Sequence, residues 1–407
     1  MNQLFLSLFM NNTNSKIRLE FVVLMASLMS IVALSIDAIL PALSDIGLAI
    51  HSQSPADNQL LIIMIFMGLG VGQLLFGPLS DSFGRKPIVY FGLILFFIAS
   101  LICVFSKSLE LMVFGRLLQG IALSAPRTIS ISIVRDSYKG DHMARIMSFV
   151  MVIFILVPVL APALGKLILD YYNWQAIFYA QLVFAGVVGI WFWKRQPETL
   201  KKEYKAPFSN HLFVDGLREL LKFRETLVFT VISGFVTGAF MVYLSSSQHI
   251  FENQYGLKEE FPYIFAGLAI TVGLATFSNG ALVMRFGMRK LVLIALISYC
   301  CISISYILLF WSTGNPSLTV LLSFMALQFF AIGFLFGNIN AIAMEPIGHI
   351  AGIGAAIIGF ASMLIAVPLA IVIGQFVNAT VLPMFVGFSA CGVASLSIFV
   401  MVMKKKC

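Results

Sequence analysis

The chain has 407 residues, 60% of them apolar and only 11% charged, with a formal net charge of +8 and a mean hydropathy of +0.98. A water-soluble domain carries roughly a quarter charged residues, so water is not the main solvent of this chain. The basic excess is not a nucleic-acid surface, because no soluble domain is present to display it on one face. Cys103, Cys300, Cys301, Cys391 and Cys407 form no C-x-x-C pair and no metal-like spacing with histidine, which excludes a disulfide framework or metal centre from the pattern.

In chain order, the N-terminal MNQLFLSLFMNN lacks a basic region and a small-residue cleavage site, so it does not read as a cleaved signal peptide, and the first span is expected to direct insertion. Apolar runs of spanning length then predict helices over 19–43, 57–79, 87–106, 109–134, 143–168, 174–195, 225–250, 260–284, 290–312, 316–344, 351–376 and 379–403. The predicted fold is an all-α membrane protein of twelve transmembrane helices in two six-helix bundles. With both termini cytoplasmic, 21 lysines and arginines fall on the cytoplasmic side and only Lys107, Lys166 and Lys258 on the other, with Arg116 and Arg127 inside a span. That alternation is the one expected of cytoplasmic loops, and an error in the span count would scramble it.

The one long charged stretch lies mid-chain, so residues 1–196 and 223–407 read as the two bundles and 197–222 as a cytoplasmic linker. Gly77-Pro-Leu-Ser-Asp81-Ser-Phe-Gly84-Arg85-Lys86 closes the second span, and Gly280-Ala-Leu-Val-Met284-Arg-Phe-Gly287-Met-Arg289 closes the eighth, 203 positions later. Duplicated six-span halves are a transporter architecture whose substrate site lies near the midplane, where the repeats face each other. The glycine patterns Gly68-x-Gly70-x-Gly72 and Gly352-x-Gly354 read as close helix packing, since no strand precedes either as a phosphate-binding loop requires.

With these motifs in order, the chain resembles the major facilitator superfamily and, within it, the Bcr/CflA (bicyclomycin-resistance) drug:proton antiporters. Gly77 to Lys86 is similar to the superfamily's loop 2–3 motif, Arg116-Leu-Leu-Gln119-Gly120 to its span-four motif, and Pro158-Val-Leu-Ala-Pro162-Ala-Leu-Gly165 to the antiporter motif of span five, with Ala161 where a glycine is usual. Asp37 with Pro41, Gly72-Gln73, Val134-Arg135-Asp136 and Asn173-Trp174-Gln175 add to the likeness. The resemblance implies alternating access driven by the proton gradient without a cofactor, and a cytoplasmic latch in which Asp81 and Arg85 engage neighbouring helix ends. Arg135 and Glu198 are the expected partners. Gly77 and Gly84 are expected to permit close approach and a tight turn, and Pro158, Pro162 and Gly165 to kink span five. The second-half copy has Met284 where Asp81 stands, and so lacks the acidic member of the latch.

Ionisable groups inside a bilayer default to function, and three sit well inside. Asp37 lies roughly 27 Å along the first span and Arg116 roughly 10 Å down the fourth from its other end, which gives them similar depth. Two readings stay open: Asp37 as proton carrier with Arg116 organising the polar network around it, or a static buried ion pair. Arg127 follows Arg116 by about three turns on the same face, roughly 16 Å deeper. It either receives an anionic group of a substrate, such as a polycarboxylate metabolite or siderophore, or snorkels or pairs with Asp136. Gln328, Asn338 and Asn340 are the polar cavity candidates of the second half, which has almost no charge in its spans; Gln375 and Asn378 are further polar groups there. Among 38 phenylalanines no aromatic residue stands out as a site.

The absence of a nucleophile with a base, of H-E-x-x-H and of a nucleotide-binding loop argues against an enzyme or an ATP-driven pump. The expected function is proton-coupled export of a drug-like compound or metabolite from a bacterial inner membrane, by a monomer whose partners are a small-molecule substrate, protons and lipid, with no nucleic acid. Proton symport of an anionic metabolite, or a non-transporting membrane sensor, are the alternatives.

Overall fold

The computed structural model describes residues 19–138, 140–200, 205 and 211–404. Among these it has twelve helices long and apolar enough to cross a bilayer, and no strand. They are α1 (Leu19–Asp37), α2 (Pro55–Phe83), α3 (Arg85–Phe105), α4 (Leu109–Ser137), α5 (Gly140–Tyr171), α6 (Trp174–Arg195), α7 (Arg224–Gln248), α8 (Phe261–Phe286), α9 (Met288–Phe310), α10 (Leu318–Met344), α11 (Ala351–Gly374) and α12 (Leu382–Lys404). Their outer faces are as apolar as their cores: Phe277, Met284 and Leu308 are 86%, 89% and 77% exposed. Side chains of that kind are stable at the surface only against lipid.

The first span is not one continuous helix. α1 ends at Asp37, and the chain resumes as a 3-10 turn (Leu40–Ala42) and a short helix (Leu43–Ala49). Pro41 has no amide hydrogen to continue the ladder, so the break leaves end carbonyls in mid-span beside Asp37. α7 likewise loosens past Gln248 into a π-helical stretch, His249–Gln254. α5, by contrast, runs as one helix through Pro158 and Pro162. The stretch read as linker carries a helix of its own, His211–Lys222, whose Gly216 sits against Ile353 and Ile357 of α11.

Helices α1 to α6 pack on one another, as do α7 to α12; between the sets, α2 lies along α11 and α7, and α5 against α8. Close approach is set by small residues. A side chain at Gly68 or Gly72 would strike α4 at Leu117, Ile121 or Ser124, and one at Gly120 would strike the Ile65 carbonyl of α2. Gly70 faces Met363 of α11. In the second motif, Gly354 packs on Ile347 whereas Gly352 faces open space.

The two ends of the bundle differ. At the end away from the basic loops, polar bonds join the two sets: Gln248 of α7 donates to Ser44 Oγ at 2.7 Å, Gln59 of α2 to the Gly374 carbonyl at 3.4 Å, and Lys166 of α5 pairs with Glu259 at 3.0 Å. Further toward the basic end, Gln73 donates to the Ala355 carbonyl at 3.5 Å.

Candidate functional site

The site is built around the broken end of α1. Arg116 is wholly enclosed and spends its guanidinium on backbone: Nε donates to the Leu61 carbonyl at 2.8 Å and Nη2 to the Ser35 carbonyl at 3.0 Å. Ser35 belongs to the last turn of α1, where carbonyls lack intrahelical partners. Nη1 donates to Gln119 Oε1 at 2.7 Å, and Gln119 Nε2 reaches Ser100 Oγ of α3 at 2.7 Å. The Arg116-x-x-Gln119-Gly120 motif therefore ties four helices together, with Gly120 admitting α2. No ion pair joins Arg116 to Asp37 among the described residues, so the static pair is absent, and Arg116 lines no open space.

Asp37 is 5% exposed and has no hydrogen bond or ion pair among the described residues. Its surroundings come from both halves. Gly165 of α5 lies directly on the Ala38 carbonyl, where any side chain would collide. Gly165 is thus a close-approach position that brings the antiporter-like motif to Asp37, where the sequence led to the expectation of a kink. From the other half, Tyr243 of α7 comes within electrostatic range of Asp37, and its hydroxyl is buried with no hydrogen-bond partner among the described residues. Tyr243 sits in an aromatic cage: its ring centroid is 4.4 Å from Phe329 and 5.9 Å from the stacked ring of Phe265, while Phe240 contacts Phe329 at 5.7 Å and Phe336 at 5.5 Å. Sequence reasoning passed over Tyr243, since one tyrosine among many aromatics has no distinguishing neighbour. The Tyr243-Leu-Ser245-Ser246-Ser247-Gln248 run, polar and buried within a span, was the available signal.

The other expected cavity residues divide. Arg127, partly exposed on α4, makes no hydrogen bond or ion pair among the described residues, and Asp136 is bound to Arg85 instead. Gln328 is fully buried inside the second bundle on the Tyr299 carbonyl at 3.3 Å, so it belongs to the α9–α10 interface. Asn338 exchanges amide bonds with Asn279 of α8 at 2.7 and 3.3 Å, while Asn340 is exposed.

At the basic end, Arg85 is 3% exposed and donates to Asp81 at 2.5 Å, Ser80 at 2.7 Å and Asp136 at 2.9 Å. The partner on α4 is Asp136 rather than its neighbour Arg135, which is exposed and makes no ion pair among the described residues; two cations would repel. Glu198 accepts from the N–H groups of Arg85 and Lys86 at 3.0 Å each, the first turn of α3, and from Thr199 and Leu200 at 2.9 Å each. Partial burial disfavours its charge, yet these four donors outweigh burial and hold the carboxyl below the usual range. Gly84 adopts φ +109° in the turn, and a side chain there would meet Glu198. Among the described residues nothing lies against Gly77, so they make no close approach there. The second half does have an ionic clasp despite Met284: Arg289 pairs with Glu225 at 2.7 Å and Glu345 at 3.4 Å.

Twelve spanning helices, paired clasps near the repeated motifs and a buried carboxylate at the seam define a multi-pass membrane transporter. The chain belongs to the major facilitator superfamily, whose sequence profile matches residues 24–370. It is 30% identical to the MFS-type transporter YdgK of Bacillus subtilis, over 88% of this chain and 89% of that one. It is 26% identical to a bicyclomycin resistance protein homolog of Haemophilus influenzae, over 92% and 94%. The multidrug resistance protein MdtL of Shewanella oneidensis is 27% identical over 76% and 77%. The fold is similar to that of the xylose transporter XylE of Escherichia coli, with a TM-score of 0.70 at 12% identity over 93% and 96% of the two chains. These relatives are transporters, not enzymes.

Proposed function

We propose that this transporter exports small organic molecules in exchange for protons, with residues 1–196 and 223–407 rocking about the Asp37 seam on the 197–222 linker and the basic loops facing the cytoplasm of a bacterial cell. The observation that carries this reading is Asp37, a buried carboxylate in mid-span with no bonded partner among the described residues, placed where α1 is met by α5 through Gly165 and by α7 of the other half through Tyr243. A structural carboxylate would be paired. One left unpaired at a moving seam is free to take up and release a proton as its surroundings change. The aromatic cage around Tyr243 supplies apolar faces for a drug-like substrate, in keeping with the names of the relatives.

The test is transport in vesicles. Asp37→Asn is expected to cut pH-gradient-driven transport by about a hundredfold, of the order found when a positioned proton-transfer group is removed, while substrate binding persists. Undiminished coupling in that variant overturns the reading.

A second reading of the substrate follows from Arg127. A guanidinium with no partner among the described residues, spaced to lie on the same face as Arg116, suits a carboxylate or phosphate group, which favours an anionic metabolite or a siderophore-like polycarboxylate over a lipophilic cation. In a thermal-stabilisation screen, Arg127→Ala is expected to weaken anionic ligands by about 1.5–3 kcal/mol, the value of a hydrogen bond to a charged group. Stabilisation by cations alone, unchanged in the variant, rejects it.

A further inference from the structure

The end of the bundle away from the basic loops holds a second carboxylate that the Asp37 mechanism does not use. Glu252 lies on the π-helical stretch that extends α7, a form of helix often found at functional positions. Its Oε2 accepts from the Gln248 side-chain amide, and that same amide donates to Ser44 Oγ of the opposite half at 2.7 Å. Its Oε1 is buried and has no donor among the described residues. One amide thus connects the carboxylate directly to one of the bonds that join the halves at this end.

The charged groups that act on Glu252 come from three neighbouring segments. Asp45, on the short helix after α1, opposes its charge, while Lys258 before α8 and Lys166 of α5 favour it. Lys166 is already committed to Asp170 and Glu259. His249, on the same stretch, has its ring on the Asn378 carbonyl and Asn253. In the closed arrangement an ionised Glu252 therefore carries a charge one of whose oxygens is enclosed and undonated, which is costly. A neutral carboxyl does not carry that cost, and opening this end would let water reach it.

We infer that Glu252 is a second proton-binding residue whose protonation permits closure of the end opposite the basic loops, through the Gln248–Ser44 bond. This rests on the proton-coupled reading above and extends it. Protons arriving from that side neutralise Glu252, the end closes, and the seam becomes accessible only from the basic side. A proton delivered there leaves by the opposite face from the one it entered.

The experiment measures the distance between spin labels at Leu48→Cys and Glu260→Cys, both exposed positions on opposite halves at this end, in full-length protein whose native cysteines are serine. Between about pH 5 and about pH 8, a range that spans perturbed carboxylates and histidine, the separation is expected to lengthen. Glu252→Gln is expected to hold the short distance throughout, and Ser44→Ala, which removes the bond, to shift the population toward the long distance and flatten its pH dependence. His249→Asn serves as control and is expected to keep the pH response. The inference is overturned if Glu252→Gln responds to pH as the parent does, if the parent does not respond, or if only His249→Asn abolishes the response. The distance readout is independent of flux. If Asp37→Asn still couples transport while Glu252→Gln locks the gate, the seam reading fails and the gate stands; the reverse pattern leaves the seam reading standing alone.

Discussion

The first and last six helices share one architecture but are held together by different physical means. α1 to α4 are tied by a buried polar hub in which Arg116 and Gln119 satisfy carbonyls and a hydroxyl on three neighbouring helices. The corresponding interior of the second half is aromatic: Tyr306 stacks on Phe385 with centroids 3.7 Å apart and an 11° interplanar angle, and Tyr299 packs on Phe388 at 5.9 Å. A hub concentrates stability in a few directional bonds, whereas an aromatic core spreads it over many contacts. The Asp37 seam joins the two, with a carboxylate from the polar half in electrostatic range of a tyrosine from the aromatic one.

The difference can be broken most forcefully at Arg116. Arg116→Ala leaves the Ser35 and Leu61 carbonyls and the Gln119 amide without a buried partner, and is expected to cost roughly 3–5 kcal/mol, as removal of one member of a buried charged network does. Thermal unfolding in detergent measures it, and a loss no larger than that of a second-half substitution would erase the contrast. Tyr306→Leu is the matching change in the aromatic half, and its expected cost is about 1–2 kcal/mol, because the remaining rings repack around it. The smallest expected effect is at the basic end. Glu198→Gln weakens the cap on α3 by about 1 kcal/mol. The sign of its pH dependence follows from the lowered pKa of Glu198. A carboxyl depressed in the folded state contributes stability above its unfolded pKa of about 4.3 and loses it as pH falls through the folded value. Wild type is therefore expected to lose its advantage over the variant below about pH 4, seen as converging melting temperatures; a constant gap would remove Glu198 from the clasp.

Much of the fold was legible because membrane spanning is a local property. Each helix must bury its own backbone bonds in about 20 apolar residues, so Leu318 to Met344 or Met288 to Phe310 declare themselves without reference to any partner. Motif spacing likewise located Arg85, Gly84 and Glu198 at one end. What it misassigned was a pairing: Arg135 was the expected partner on α4, and Asp136 is the one that meets Arg85. Arg135 and Asp136 are adjacent, and which of them meets Arg85 depends on the rotation of α4. The Arg289 clasp was missed because its acidic partners, Glu225 and Glu345, lie on α7 and at the end of α10, outside the repeated motif.

The sequence by itself determined the twelve spans, the duplication and the presence of three ionisable residues at membrane depth, since hydropathy, charge and spacing are written residue by residue. Only the tertiary structure decided that Arg116 binds carbonyls rather than Asp37, that Gln328 is enclosed, and that Tyr243 and Gly165 frame the free carboxylate. Backbone acceptors carry no side-chain signature, and a helix break such as that after Asp37 becomes a site only when neighbouring helices leave its carboxylate unpaired.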